Sequence, residues 1–228
     1  MKRLRSWIPG LWFVESEIRM MPGVFLPARM TVLRLSDGGL WIHSPVEIDD
    51  ALAVELAAIG QVKYLVSPNL FHHLFLGTAQ KRYPQALVFA PQGLAQKRPD
   101  LRIDRVWDNA LQTPWGDQIE HLCIGGMPQF HETVFYHPKT ESLITTDLVF
   151  HLQEIHGWMG HLVFRLLGTY KRFKVSPFFI AQIKDKAAFG KSCKELFGWA
   201  FSRVIMAHGE PIDQQAEERL RQALARWL

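Results

Sequence analysis

Residues 31–44 read TVLRLSDGGLWIHS, two apolar runs separated by Ser-Asp-Gly-Gly. Asp-Gly-Gly supplies the positive φ values of a tight turn, so this stretch predicts an antiparallel pair over residues 30–44. The segments C-terminal to this hairpin narrow the fold further. EIDDALAVELAAIG offers Asp49 or Asp50 as an N-cap, Leu52, Leu56 and Ile59 as an apolar helical face, and Gly60 as a stop. VKYLVS is then a buried strand, residues 73–83 form a helix ended by Pro84, and ALVFAP is another strand. LWFVES, near the start, is a further short strand. Any fold for this chain must accommodate a hairpin that runs into helix, strand, helix and strand.

A second β-rich half begins after a polar loop. IEHLCIGG and ETVFYHPKTESLITTDLVF return to antiparallel strands, the latter folding at residues 137–140. Residues 151–182 mix aromatic, basic and apolar side chains without strand alternation, and are expected to be a helical insertion. DKAAFGKSCKELFGWA is helical, RVIMAHG is a strand ending at a histidine, and DQQAEERLRQALARWL is an amphipathic final helix. Two β-rich halves with helices between them predict an α+β fold, a four-layer αββα sandwich of two mixed sheets. With no repeat and no long linker, one domain over residues 1–228 is expected.

Composition removes several classes of function. At 228 residues and 48% apolar content the chain can bury a substantial core. Cys123 and Cys193 lie far apart and match neither a metal-ligand pair nor a disulfide framework, which fits a reducing, cytoplasmic setting. The basic start MKRLRSWIPGLWFVESEIR is interrupted by Pro9, Gly10, Glu15 and Glu17 before a signal-peptide core can form. No window reaches the roughly 18 uninterrupted apolar residues of a membrane span. A net charge of +4, dispersed among acids, disfavours nucleic acid as a partner.

The residues that carry chemistry sit at strand ends. His72 and His73 follow VKYLVS, Asp147 ends SLITTD, and His208 ends RVIMAH. Ligands from separate strands converge at one rim of a sheet scaffold. In these segments the sequence resembles the metallo-β-lactamase superfamily, and the resemblance extends over nearly the whole chain. In that superfamily a strand leads to Thr-His-X-His-X-Asp-His, a later strand to a metal-bridging Asp, and a last strand to a final His. SPNLFHH occupies the place of the first motif: its last His is His73, its Asp is replaced by His72, and its first two His become Pro68 and Leu70. LITTDLVF matches the bridging Asp with Asp147, and IMAHGEPI matches the closing His with His208. The family's middle His has no counterpart in GGMPQFHETVFY, where Pro128 falls on it and His131 or Glu132 is the nearby substitute. His43 falls where the family places an acid behind the ligands, and so is expected to orient a ligand rather than bind.

Pro and Leu offer no lone pair to a metal, so the resemblance implies that one half of a two-metal centre is lost. The other half maps onto His72, His73, Asp147 and His208, an N and O donor set for one divalent ion, zinc first, with iron or manganese as alternatives. His73, Asp147 and His208 are the expected principal ligands, with His72 or water completing the set and Asp147 as the catalytic carboxylate. The implied activity is hydrolysis of an ester, thioester or related bond, and a lactamase activity is disfavoured because the first metal site is missing. The alternative is a sandwich without catalysis that binds a small molecule or partner. Each candidate also has a plain structural reading: adjacent histidines cap helices, and Asp147 caps the segment after it. His121, His137, His151, His156 and His161 carry no pattern, and His137 is placed in an exposed turn. The insertion reads as a helical flap lining an apolar pocket, with a core-closing hairpin, a membrane-surface helix or a homodimer interface as alternatives.

Overall fold

The computed structural model describes residues 3–228, and the chain divides into two compact units. One takes the residues through Ser16 together with Arg29–Leu111, and the other Glu17–Ala28 together with Gln112–Leu228.

In the first unit β1 (Leu4–Ile8) and β2 (Leu11–Met21) open the chain as an antiparallel pair around Pro9-Gly10, with Gly10 at φ +86°. β1 gives no strand signal in the sequence because none of its residues is fully buried and no apolar alternation marks it. β3 (Val24–Arg34) and β4 (Gly39–His43) form the expected hairpin, paired from Thr31↔His43 to Arg34↔Leu40. Asp37 Oδ1 accepts the Gly39 N–H at 2.8 Å and Gly38 takes φ +78°. β2 and β3 each run 11 residues, beyond LWFVES and MTVLRL. Their far ends belong to the second unit.

Helix α1 (Asp50–Ile59) starts where expected, since Asp49 Oδ1 accepts the Leu52 N–H at 2.8 Å. Leu52 and Leu56 face the core. Then come β5 (Gln61–Val66), α2 (Leu76–Arg82), β6 (Leu87–Ala90), α3 (Leu94–Lys97) and β7 (Arg105–Val106). β4 to β7 pair parallel, so among the described residues the sheet is mixed and seven-stranded, in order β1 to β7. α2 begins three residues after the expected start at 73. Asn69 Oδ1 accepts the N–H groups of Phe71 and His72, both at 2.9 Å, and holds this stretch as a turn.

The second unit is built on β8 (Glu120–Cys123), β9 (Thr133–His137) and β10 (Ser142–Ile144), antiparallel neighbours as expected. The insertion is only partly helical. It carries β11 (Phe150–His151) and β12 (Phe173–Lys174), which pair antiparallel, as well as α4 (Trp158–Leu166) and α5 (Pro177–Gln182). Phe164 and Phe179 from it are buried among the apolar side chains of this unit. α6 (Lys186–Leu196) is capped by Asp185, β13 (Arg203–Ile205) pairs parallel with β10, and α7 (Ala216–Leu224) closes the chain. The sheet order is β13-β10-β9-β8. His137 is not in an exposed turn: it is 4% exposed, with Nδ1 2.7 Å from Thr140 Oγ1, because its strand is buried on both faces.

Candidate metal centre

Register decides the centre of the second unit. β10 and β13 pair as Ser142↔Arg203, Leu143↔Val204 and Ile144↔Ile205, and the same offset carried three residues further sets Asp147 opposite His208. The alignment persists beyond the strands, since Thr145 N–H donates to the Ile205 carbonyl at 2.7 Å. Asp147 Oδ1 lies 2.9 Å from His208 Nε2, and both side chains are nearly excluded from solvent. His208 Nδ1 lies 2.6 Å from the Pro27 carbonyl oxygen. A carbonyl only accepts, so Nδ1 carries a proton. The face turned to Asp147 is therefore either a second N–H or a lone pair, and a lone pair cannot sit 2.9 Å from a carboxylate oxygen without a cation to share. The pair requires a proton or a metal ion.

Two features hold this pair. Glu132 is 0% exposed, and its Oε1 accepts the N–H groups of Thr146, Asp147 and Leu148 at 2.9, 3.0 and 3.3 Å. A buried carboxylate thus fixes the loop that carries Asp147. Gly209, with φ +103°, lies against the His151 carbonyl, where a Cβ would collide with the oxygen. That close approach lets His151 N–H donate to the His208 carbonyl at 3.0 Å and fixes the chain on the other side of the pair. His131 is half-buried at φ +54°, with its N–H on the Met127 carbonyl.

In the first unit the adjacent histidines have different partners. His72 Nδ1 lies 2.7 Å from Ser44 Oγ. Ser44 follows β4 at φ +52°, a left-handed position sparsely used by residues other than glycine. His73 is 7% exposed, and its Nδ1 accepts from Arg98 Nη1 at 3.0 Å. Burial, with Lys97 and Arg98 adding to it, pushes His73 down to about 4, so it is neutral at pH 7. His43 is 1% exposed and stacks on Trp41 with ring centroids 5.7 Å apart. Burial first, then His72, pushes it down to about 3. Ser44 and Arg98 escaped the sequence reading, because each acts on a histidine 25 or more positions away. The Asn69 turn had a local signal in SPN.

A family model described as a domain of unknown function, DUF4336, matches residues 10–159, well over half of the chain. The chain belongs to the DUF4336 family. No curated protein matches the DUF4336 chain. Solved structures do match it over 99% of its length. A metallo-β-lactamase from Pontibacter korlensis superposes with a TM-score of 0.68 at 16% identity, over 99% of that chain. A metallo-β-lactamase from Pseudomonas aeruginosa in its mono-zinc form gives 0.67 at 12% identity, over 95%. A metal-soaked flavodiiron core from Synechocystis gives 0.69 at 13%, over 60%. This DUF4336 protein therefore has the metallo-β-lactamase-like α+β sandwich fold implied by its strand-end residues.

The donors of the DUF4336 chain fit a divalent ion on their own chemistry. Asp147 and His208 offer an oxygen and a nitrogen donor atom, and His208 donates its other ring N–H to a carbonyl, as metal-bound imidazoles do. Among the described residues, no helix is long and apolar enough to cross a membrane.

Proposed function

We propose that this protein is a metal-dependent hydrolase holding one divalent ion, with Asp147 and His208 of the second unit as its ligands. The observation that carries the reading is the buried Asp147–His208 pair, an oxygen and a nitrogen donor that one divalent ion can share. Of the two adjacent histidines of the first unit, both candidate ligands in the motif alignment, the surroundings favour His72 as the donor. The Arg98 guanidinium beside His73 opposes a second positive charge there, whereas Ser44 holds His72 through Nδ1 and leaves its Nε2 available as a donor atom. Zinc is the ion proposed first, with iron or manganese as alternatives for the same N and O donors.

Bound there, the ion would supply Lewis-acid polarisation of a carbonyl and a lowered pKa for water. Asp147 would take the proton of the attacking water, and His208, its Nδ1–H held on the Pro27 carbonyl, would hold the ion through Nε2. Pro68 and Leu70 leave the other half of the family's centre without side-chain donors, so the proposed hydrolysis of a small ester, thioester or related bond uses one ion.

The test is metal content after purification without added metal, and after titration at neutral pH. Wild type is expected to hold about one equivalent and to hydrolyse a model thioester or ester. Asp147→Ala and His208→Ala each lose the ion while the fold persists, and His156→Ala, at an exposed position, retains it. Wild-type protein that takes up no divalent ion ends this reading and leaves a binding protein on the same fold.

A further inference from the structure

Helix α4 has two apolar faces. Gly160 and Phe164 are buried, whereas Trp158 (75%), Leu162 (52%) and Leu166 (79%) are exposed. At 3.6 residues per turn these three, spaced by four, fall within an arc of about 80°. A globular surface helix normally places polar residues there. The patch extends onto the β2–β3 hairpin. Glu17 pairs with His156, and Gly23 lies against Met159, so the tip between these anchors, with exposed Met20 and Met21, sits beside α4.

The charge around this stripe is of one sign. Arg165 lies on the exposed side of α4, and Arg165 and Lys171 both stack on Tyr170, at 5.3 and 5.5 Å from the ring centroid. Lys174 Nζ lies near Gly168, at the end of the helix. Beyond it a cleft of about 470 Å³ is lined by Arg172, Lys174, Arg219, Phe173, Gln222 and Ala223, with no acid. Among the described residues none of Arg165, Lys171, Arg172 and Lys174 pairs with a carboxylate.

We propose that α4 and the basic chain after it dock the protein on an anionic lipid surface. Trp158, Leu162 and Leu166 enter the boundary between headgroups and acyl chains, and the cationic cleft receives a phosphate headgroup. An aromatic and leucine stripe flanked by unpaired cations has the chemistry of an interfacial helix, and an anionic surface satisfies both halves of it. A second copy of the chain would bring the same cations together, which argues against a dimer through this face. The inference is independent of the metal centre.

The experiment is co-sedimentation of the full chain with vesicles of phosphatidylcholine alone or mixed with phosphatidylglycerol. Binding is expected to the mixed vesicles only, and to fall as salt is raised. Leu162→Glu/Leu166→Glu and Arg172→Glu/Lys174→Glu should each lower the partition coefficient roughly tenfold. Their melting temperatures should match wild type, since the positions replaced are at the surface. The proposal is overturned if wild type stays in the supernatant with mixed vesicles, or if both double variants bind as wild type does. Concentration-dependent dimerisation that Leu162→Glu abolishes, without vesicle binding, would assign the face to a second copy and also overturn it.

Discussion

Glu132 gives the sharpest test of how the centre is held. In Glu132→Ala three buried N–H donors, of Thr146, Asp147 and Leu148, lose the oxygen they share at 2.9, 3.0 and 3.3 Å. Each unsatisfied buried group costs about 1–3 kcal/mol, the longest bond least, and a water entering the vacated space recovers part of the loss. The net destabilisation expected is about 3–5 kcal/mol. Glu132→Gln keeps an acceptor oxygen and loses only the charge assistance, at a cost of about 1–2 kcal/mol. Urea unfolding at pH 7, read as a midpoint shift at constant m-value, separates the two. Asp147 rides the same loop, so zinc affinity measured against a chromophoric chelator should fall about 10–100-fold in the alanine variant and less in the glutamine one. If both variants unfold within about 0.5 kcal/mol of wild type, or if alanine and glutamine cost the same, the carboxylate is not what holds the loop.

His137 makes the fold acid-sensitive: burial pushes it down to about 4 from an ordinary 6.5, so the unfolded chain binds its proton first as pH falls. Stability should fall by an amount on the order of 3 kcal/mol between about pH 6.5 and 4, and a His137→Gln variant should flatten that profile in urea melts. An unchanged slope would place the acid sensitivity elsewhere, with His43 and His73 next in line because both are also pushed down. Gly209→Ala sets a Cβ against the His151 carbonyl at φ +103° and should cost about 2 kcal/mol or more, seen as a melting temperature lower by at least about 4 °C. Arg98→Ala removes one of the two cations beside His73, and an NMR titration should show the imidazole rising from about 4 toward its ordinary range. A value that stays at about 4 would leave burial, Lys97 and His72 as the cause.

Local structure was legible in the residues themselves. The Asp37-Gly38-Gly39 turn, the Asp49 cap and the Asp185 cap follow from contacts between residues two or three positions apart, and those residue types favour them in any context. The candidate donors His72, His73, Asp147 and His208 were likewise legible as histidines and an acid that follow strands. Tertiary structure decided what each touches. His72 was distinguished from His73 by Ser44 and Arg98, 28 and 25 positions away. The His208 tautomer was set by the Pro27 carbonyl, 181 positions away, and the meeting of Asp147 with His208 by the register of β10 on β13. β11 and β12 stayed hidden because a two-residue strand carries no apolar period, only a partner. Register and pairing are fixed by which faces the core buries, and that depends on every strand at once.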